Sequence, residues 1–382
     1  MDFRFTQEQE MFRDSIDEFM KKECPRDFVR HCDENSIFPR EVIRKMAKLG
    51  WLCIQVPEEY GGMGCGPVEL GLFLEQVARG MNGLAQCVYS SVIFAADYIL
   101  KFGSESQKMS FLPRIADGDL LFAFALTEPN SGSDAASLRT AAVKNGGCFL
   151  INGQKTFCSC ADVADYIYTA ARTDTKAPKH KGISTFLVPR EAPGLEVKGI
   201  RKLGHKNMSL SDIFFEDTPV PEENMVGNLN EGWINILHNV GRERFYLSAI
   251  CVGSAQAVLD SALQYAMERE QFGKPIGHFQ LIKEKLVNMQ MEIDAARLLM
   301  YRTAWRIQEG LPYAKEASTA KLFCSEAYAR AANQGMQIMG GYGYTMEYDM
   351  QRHFRDAKMY EIGGGTSEIQ RLIIAREMGL KG

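Results

Sequence analysis

Apolar side chains recur along this chain in two rhythms, and the change of rhythm divides it in three. Near the start, Phe12, Ile16, Phe19 and Met20 return at helical spacing and define one buried face. Thr6 and Gln9 stand ahead of them in the T-x-x-Q pattern of a capping box, which predicts a helix start. A second helix is predicted from Pro39 to about Leu49. Glycine density makes Pro57 to Gly66 a loop, and helical patterns resume over Val68 to Arg79 and Gln86 to Phe102. Near residue 120 the period falls to two. Phe122, Phe124 and Leu126 alternate with alanines as in a half-buried strand. Asn152-Gly153 lies between two strand-like runs and predicts a hairpin. Tyr166 to Ala171, Ile183 to Val188 and Asp212 to Phe215 add short strands between prolines and glycines. From Gly232 the helical period returns. Ile282, Leu286, Met289, Ile293, Ala296 and Met300 form the stripe of a long bundle helix, and its methionines read as core packing. The predicted fold class is α+β: an N-terminal helical domain (1–120), a central β domain (121–232) and a C-terminal helical bundle (233–382).

Composition narrows the function classes. The 382 residues are 46% hydrophobic and 24% charged, ordinary globular values. Lys plus Arg is 44 and Asp plus Glu is 48, a formal charge of −4, so no overall basic field points to nucleic acid. Apolar runs such as Ser91 to Leu100 fall short of the roughly 18–20 residues of a membrane-spanning helix. The ten cysteines are scattered without a CxxC pair, which suits a reduced, cytoplasmic protein. The six histidines form no HExxH and no Cys/His cluster, so no metal is expected. The opening MDFRFTQEQEMF has no apolar core and does not read as a signal peptide.

Four segments carry candidate chemistry. Leu126 to Asp134 (LTEPNSGSD) follows a strand and gathers hydroxyls and backbone donors in a turn, although an ordinary strand exit has the same composition. Ile151 to Cys160 (INGQKTFCSC) is the second, and Arg269 to Gly273 with His278 to Gln280 the third. The fourth, Arg355 to Glu377, places three glycines before Thr366, which is suited to N-cap the following helix. A helix N-terminus there suits an anion. No G-x-G-x-x-G opens a helix after a strand, so a Rossmann site is not indicated.

In order and spacing, LTEPxxGSD, INGQK, ERxxFGxxI, QxxGGxGY (Gln337 to Tyr344) and RDAxxYxxxxGT together resemble the acyl-CoA dehydrogenase family across essentially the whole chain. The resemblance implies a β-barrel-like middle domain, a C-terminal four-helix bundle, and FAD held between the β domain, the bundle and a neighbouring subunit of a homotetramer. It implies flavin contacts at Phe124 and Thr127 and at Phe157 and Ser159. From a neighbouring subunit come Arg269, Phe272, Gln280, Gln337 and Gly341, while Thr366 and Glu368 lie near the adenosine part. Ser133 and Arg244 would meet the CoA portion of the substrate, and an electron-transferring flavoprotein would take the electrons. Position 157 is often Trp in the family and 159 often Thr, so the aromatic wall and the hydroxyl are kept in smaller form.

The chemistry needs a base, because hydride leaves Cβ of an acyl thioester readily only when the Cα proton leaves with it. Relatives acting on straight short or medium chains carry that Glu just before the Gly-Thr of the fourth segment. Here the position is Gly364, and its usual aromatic neighbour is Gly363. The isovaleryl-CoA and long-chain branches place the base on a bundle helix just before an Arg, which corresponds to Glu243-Arg244 here. The sequence therefore points to Glu243 as base, with Glu361 as the runner-up, Glu368 serving the cofactor, and Asp97 on a helix surface. Taken alone, a Glu in an RER triplet reads as a surface residue paired with Arg242 or Arg244. Two glycines at 363 and 364 predict extra room near Cα and Cβ and hence a branched or cyclic acyl group, with Gln86 to Ser91 lining the far end. The rival readings are an enoyl-CoA reductase running the same chemistry in reverse, and a non-catalytic flavin- and acyl-CoA-binding subunit.

Overall fold

The computed structural model describes residues 4–380; the first three residues of the N-terminal stretch read above lie outside it. Helix α1 (Gln7–Glu23) starts at the predicted capping box, where Thr6 accepts a hydrogen bond from the Gln9 amide and Gln9 returns one to Thr6. Its apolar face sets Phe12 and Phe19 edge-on to Trp51. A helix the periodicity did not reveal, α2 (Arg26–Glu34), precedes α3 (Arg40–Lys48). At nine residues, it is too short for a repeating apolar pattern to stand out.

The next two predicted helices are one continuous element. Helix α4 (Pro67–Val88) passes through a π turn at Tyr89–Ile93 into α5 (Phe94–Phe102), and α6 (Glu105–Ala116) follows. The single irregularity inside α4 is Met81, at φ −154° and ψ 95°. The joined Pro67–Phe102 helix is long and apolar enough to cross a membrane, with a mean hydropathy of 1.3 over its best window, and so is the later Gly232–Glu268 helix. Those windows are 89% and 72% buried inside the protein, so their apolar surface serves the core.

The middle region holds β1 (Phe122–Ala125), β2 (Ala141–Asn145), β3 (Cys148–Ser159), β4 (Tyr166–Arg172), β5 (Ile183–Pro189), β6 (Leu195–Gly199), β7 (Leu210–Pro221) and β8 (Met225–Val226). Their order is β6-β7-β3-β2-β4-β5-β8, with β1 alongside β4 in parallel. The terminal strands β6 and β8 do not pair, so the sheet is open and no barrel closes. The predicted hairpin at Asn152-Gly153 is a β-bulge: β3 runs straight through it, and the register against β7 shifts between Ile151 and Gly153. The hairpin turn lies one step earlier, at Gly146-Gly147 between β2 and β3. Asn-Gly serves either device because its glycine tolerates unusual backbone angles. Here Gly153 has φ +145°, and a Cβ on it would lie 2.6 Å from Thr140 Oγ1.

The first two sequence motifs meet as a buried ion pair. Lys155 Nζ donates to Glu128 Oε1 at 2.8 Å and to the Leu126 carbonyl at 3.0 Å. Glu128 also accepts from the Arg139 and Thr140 amides at 2.7 and 2.8 Å. The pair thus ties the loop after β1 to the middle of β3.

Helix α7 (Gly232–Glu268) leads to α8 (Gln280–Gln308), α9 (Ala314–Met339), α10 (Met350–Ile362) and α11 (Ser367–Glu377). The stripe predicted for α8 is buried at Leu286, Met289, Ile293, Ala296 and Met300. Helices α7, α8 and α9 pack side by side, α10 and α11 lie on α9, and α4 lies along α7. One hydrophobic core therefore runs through both helical regions, with a smaller one inside the sheet.

Glu128→Gln leaves the Lys155 ammonium buried without its counter-charge. It should cost about 3–5 kcal/mol, seen as a lower denaturation midpoint. Glu128→Leu with Lys155→Met should restore much of that loss, and an unchanged midpoint in Glu128→Gln would refute the pair's role.

Candidate active site

Helix α7 carries Glu243 to the place where the π turn and the glycine loop between α10 and α11 converge. Tyr89 donates its phenolic hydrogen to Glu243 Oε1 at 2.5 Å. A Cβ built on Gly364 would lie 3.5 Å from the same Oε1 and 3.6 Å from Cδ. The carboxyl group of residue 243 thus reaches the spot from which a side chain at 364 would project. Loss of hydration raises the pKa of Glu243, while the Tyr89 hydroxyl, Arg244 and Lys321 act in the opposite sense.

The room predicted at the two glycines is taken. A Cβ on Gly364, whose φ is +65°, would meet Leu247 Cδ1 at 2.4 Å, and one on Gly363 would meet Met359 Sδ at 3.0 Å. Both fillers are the ends of flexible side chains. The loop itself is held from below: Lys321 on α9 donates to the Gly365 carbonyl at 2.6 Å, and Gln370 donates to the Gly364 and Gly365 carbonyls at 3.0 and 2.9 Å. Lys321 and Gln370 are fully buried, and no pattern in the sequence singles out either, since nothing local marks a lysine or glutamine that faces a distant loop. Thr366 caps α11 as predicted, accepting from the Ile369 amide at 3.3 Å.

The arginines beside Glu243 do not pair with it in the expected way. Arg242 turns to Asp97 at 3.3 Å and to Gln55 at 2.6 Å. Asp97 is accordingly buried rather than on a helix surface, and it also accepts from the Tyr246 hydroxyl. It lies on the α5 face that packs against α7, which its own short helix could not reveal. Arg244 Nε and Gln86 Oε1 are buried without hydrogen-bond partners among the described residues. Glu361 is engaged by Lys358 at 2.6 Å.

The remaining predicted residues fall into two groups. Phe124 in β1 and Thr127 just beyond it come against β3, which ends with Phe157 and Ser159, and the Thr127 carbonyl accepts from the Thr156 amide at 2.9 Å. Phe157 is 62% exposed at φ +56°. Ser133 and Glu368 are exposed. The second group lies at the other end of α7 and α9. There a cavity is lined by Tyr265, Arg269, Gln271, Gly341 and Tyr342, with Arg269 over the Tyr342 ring at 5.4 Å. Phe272 stands 93% exposed beside it, and Gln280 and Gln337 are exposed.

Family models for the acyl-CoA dehydrogenase N-terminal, middle and C-terminal domains match residues 6–119, 123–218 and 230–379. The chain belongs to the acyl-CoA dehydrogenase family. It is 41% identical to a probable acyl-CoA dehydrogenase, YngJ, of Bacillus subtilis, over 99% of this chain and all of that one. It is 36% identical to the caffeyl-CoA reductase–Etf complex subunit CarC of Acetobacterium woodii, over 97% and 98% of the two chains. The solved butyryl-CoA dehydrogenase of Megasphaera elsdenii superposes with a TM-score of 0.95 at 35% identity, covering 99% of this chain and 100% of that one.

This acyl-CoA dehydrogenase is an oxidoreductase with FAD as cofactor. The residues present fit that group. Arg269 beside the open backbone of Gly341, where a Cβ would meet nothing within 4 Å, suits a diphosphate, and the exposed ring of Phe272, braced edge-on by Phe279, suits a planar base.

Burial lowers the Lys321 ammonium to about 8, against the pull of Cys251 and Glu243. An unfolded lysine keeps its proton to about 10.4, so the buried charge costs stability below pH 8 and the cost fades between about pH 8 and 10.4. Across that window the melting temperature of the wild-type holoenzyme should rise relative to Lys321→Met. A flat difference would mean that the amine is not held under the loop.

Proposed function

We propose that this chain dehydrogenates a short- or medium-chain acyl-CoA, branched or cyclic, to the α,β-enoyl-CoA, with Glu243 as the base. The observation that carries this is the convergence of the Glu243 carboxyl group on the position of Gly364. Either residue could present a carboxylate to one substrate carbon, and only 243 has one. When bound, FAD supplies at N5 the acceptor for the β-hydride. Glu243 takes the α-proton on its carboxylate, and hydrogen bonds to the thioester carbonyl make that proton more acidic. The unpartnered Arg244 Nε and Gln86 Oε1 offer polar contacts to a thioester ligand, and Ser133 lies on the exposed turn where the CoA portion would pass. A branch or ring near Cα would press on the ends of Leu247 and Met359, which can yield where backbone could not.

Phe124, Thr127, Phe157 and Ser159 would hold the flavin ring end, with Thr366 and Glu368 near the adenosine. Arg269, Phe272, Gln280, Gln337 and Gly341 would serve the FAD of a neighbouring subunit. A homotetramer in the cytoplasm accounts for the exposed stripe Val287, Met291, Leu298 and Trp305, spaced along one face of α8. The exposed Phe157 suits contact with an electron-transferring flavoprotein. The likeness to a caffeyl-CoA reductase subunit favours, as a second reading, the same site working as an enoyl-CoA reductase.

The yellow protein should lose its flavin absorbance when titrated without oxygen against its cognate acyl-CoA. Glu243→Gln should bind FAD and the same thioester yet turn over about 10²–10⁴-fold more slowly. Bleaching by no thioester would leave a non-catalytic subunit, and near-normal turnover of Glu243→Gln would remove it as the base. In the Glu243→Gln background, Gly364→Glu with Leu247→Ala should recover part of the activity on straight chains. No recovery on any acyl-CoA would count against a shared pocket.

A further inference from the structure

We infer that Tyr89 is the positioning residue of the base: its hydroxyl fixes the Glu243 carboxylate in place and favours its ionised form. This rests on the reading of Glu243 as the base. Among the described residues, the Tyr89 hydroxyl makes the one hydrogen bond that the Glu243 carboxyl group receives, and Glu243 is the one partner of that hydroxyl.

The backbone explains how the contact arises. Tyr89 opens the π turn Tyr89–Ile93, in which an extra residue per turn swings the helix face between α4 and α5. A regular helix would direct the side chains beyond residue 88 elsewhere around the axis. The ring is braced on two sides, by Phe94 at 6.1 Å and by Tyr246 at 6.0 Å between centroids. Tyr246 is itself fixed, since it donates to Asp97 and receives Arg242 Nε at 3.1 Å. Tyr89 is 5% exposed, so its hydroxyl has little water to turn to.

The chemistry gives the contact a purpose. Losing water makes a carboxylate harder to ionise, and a donor aimed at it reverses part of that. The charged or titratable groups facing Glu243 are Tyr89 from the π turn and Lys321 from α9, with Arg244 beside it on α7. Arg242 is spent on Asp97, and Tyr360 of α10 faces Tyr89. Burial holds the phenol of Tyr89 well above its ordinary pKa, with the Glu243 charge adding to the effect, so it stays a donor at working pH.

Tyr89→Phe removes the hydroxyl and keeps the ring. The carboxyl stretch of residue 243, identified by its absence in Glu243→Gln, can be titrated by infrared spectroscopy in the holoenzyme. In Tyr89→Phe that titration should move up by about one to two pH units, and the acid limb of kcat/KM should move with it. At the foot of the limb, kcat should fall about tenfold or more with KM little changed. An unmoved infrared titration would overturn the inference whatever Glu243 does. A moved titration beside wild-type turnover in Glu243→Gln would instead overturn the base, and with it any role of Tyr89 in the reaction.

Discussion

The site depends on how closely α4 and α7 cross. A Cβ on Gly253 of α7 would lie 1.9 Å from the Glu75 carbonyl of α4, so the two backbones approach to a distance that only glycine allows. Farther along the same crossing, Gly71 of α4 lies against the ring of Phe245. This contact sets the depth at which α7 rides on α4. That depth lets the π turn at the end of α4 reach residue 243 with a hydroxyl group. Were the helices a side chain further apart, Tyr89 and Glu243 would face one another across water, and the carboxylate would have an ordinary solvent environment.

Around that contact the protein separates what supports from what reacts. The conspicuous motifs TEP and INGQK owe two of their residues to architecture: Glu128 and Lys155 neutralise each other inside the sheet and pin the loop that carries Thr127. Asp97 and Arg242 do similar work under Tyr246. The carbonyls of the glycine loop are held by Lys321 and Gln370, which leaves that loop rigid although three glycines compose it. Glu243 differs from these buried acids in its partners. Among the described residues it has a neutral donor and no ion pair, an arrangement suited to a group that must gain and lose a proton.

Much of this was legible in the sequence because it is local. The capping box of α1, the apolar stripe of α8 and the Thr366 cap each lie within a few turns of backbone. Helix and strand periods show in such windows. Where the reading failed, one local signal served two structures. Asn152-Gly153 marks a bulge as readily as a hairpin. The glycines at 363 and 364 suggested vacant space, but a missing side chain leaves room only if its neighbours do not move in, and Leu247 and Met359 do.

The order of helices and strands, the family and the candidacy of Glu243 were therefore set by the chain's own sequence, since periodicity and motif spacing are properties of neighbouring residues. Tertiary structure alone decided that a tyrosine 154 residues away would hold that carboxyl group, that a lysine on α9 would grip the Gly365 carbonyl, and that Asp97 would be buried. Those outcomes depend on the angle and depth at which separate helices pack. Packing of that kind is a property of surfaces far apart in the chain, and no window of sequence contains both.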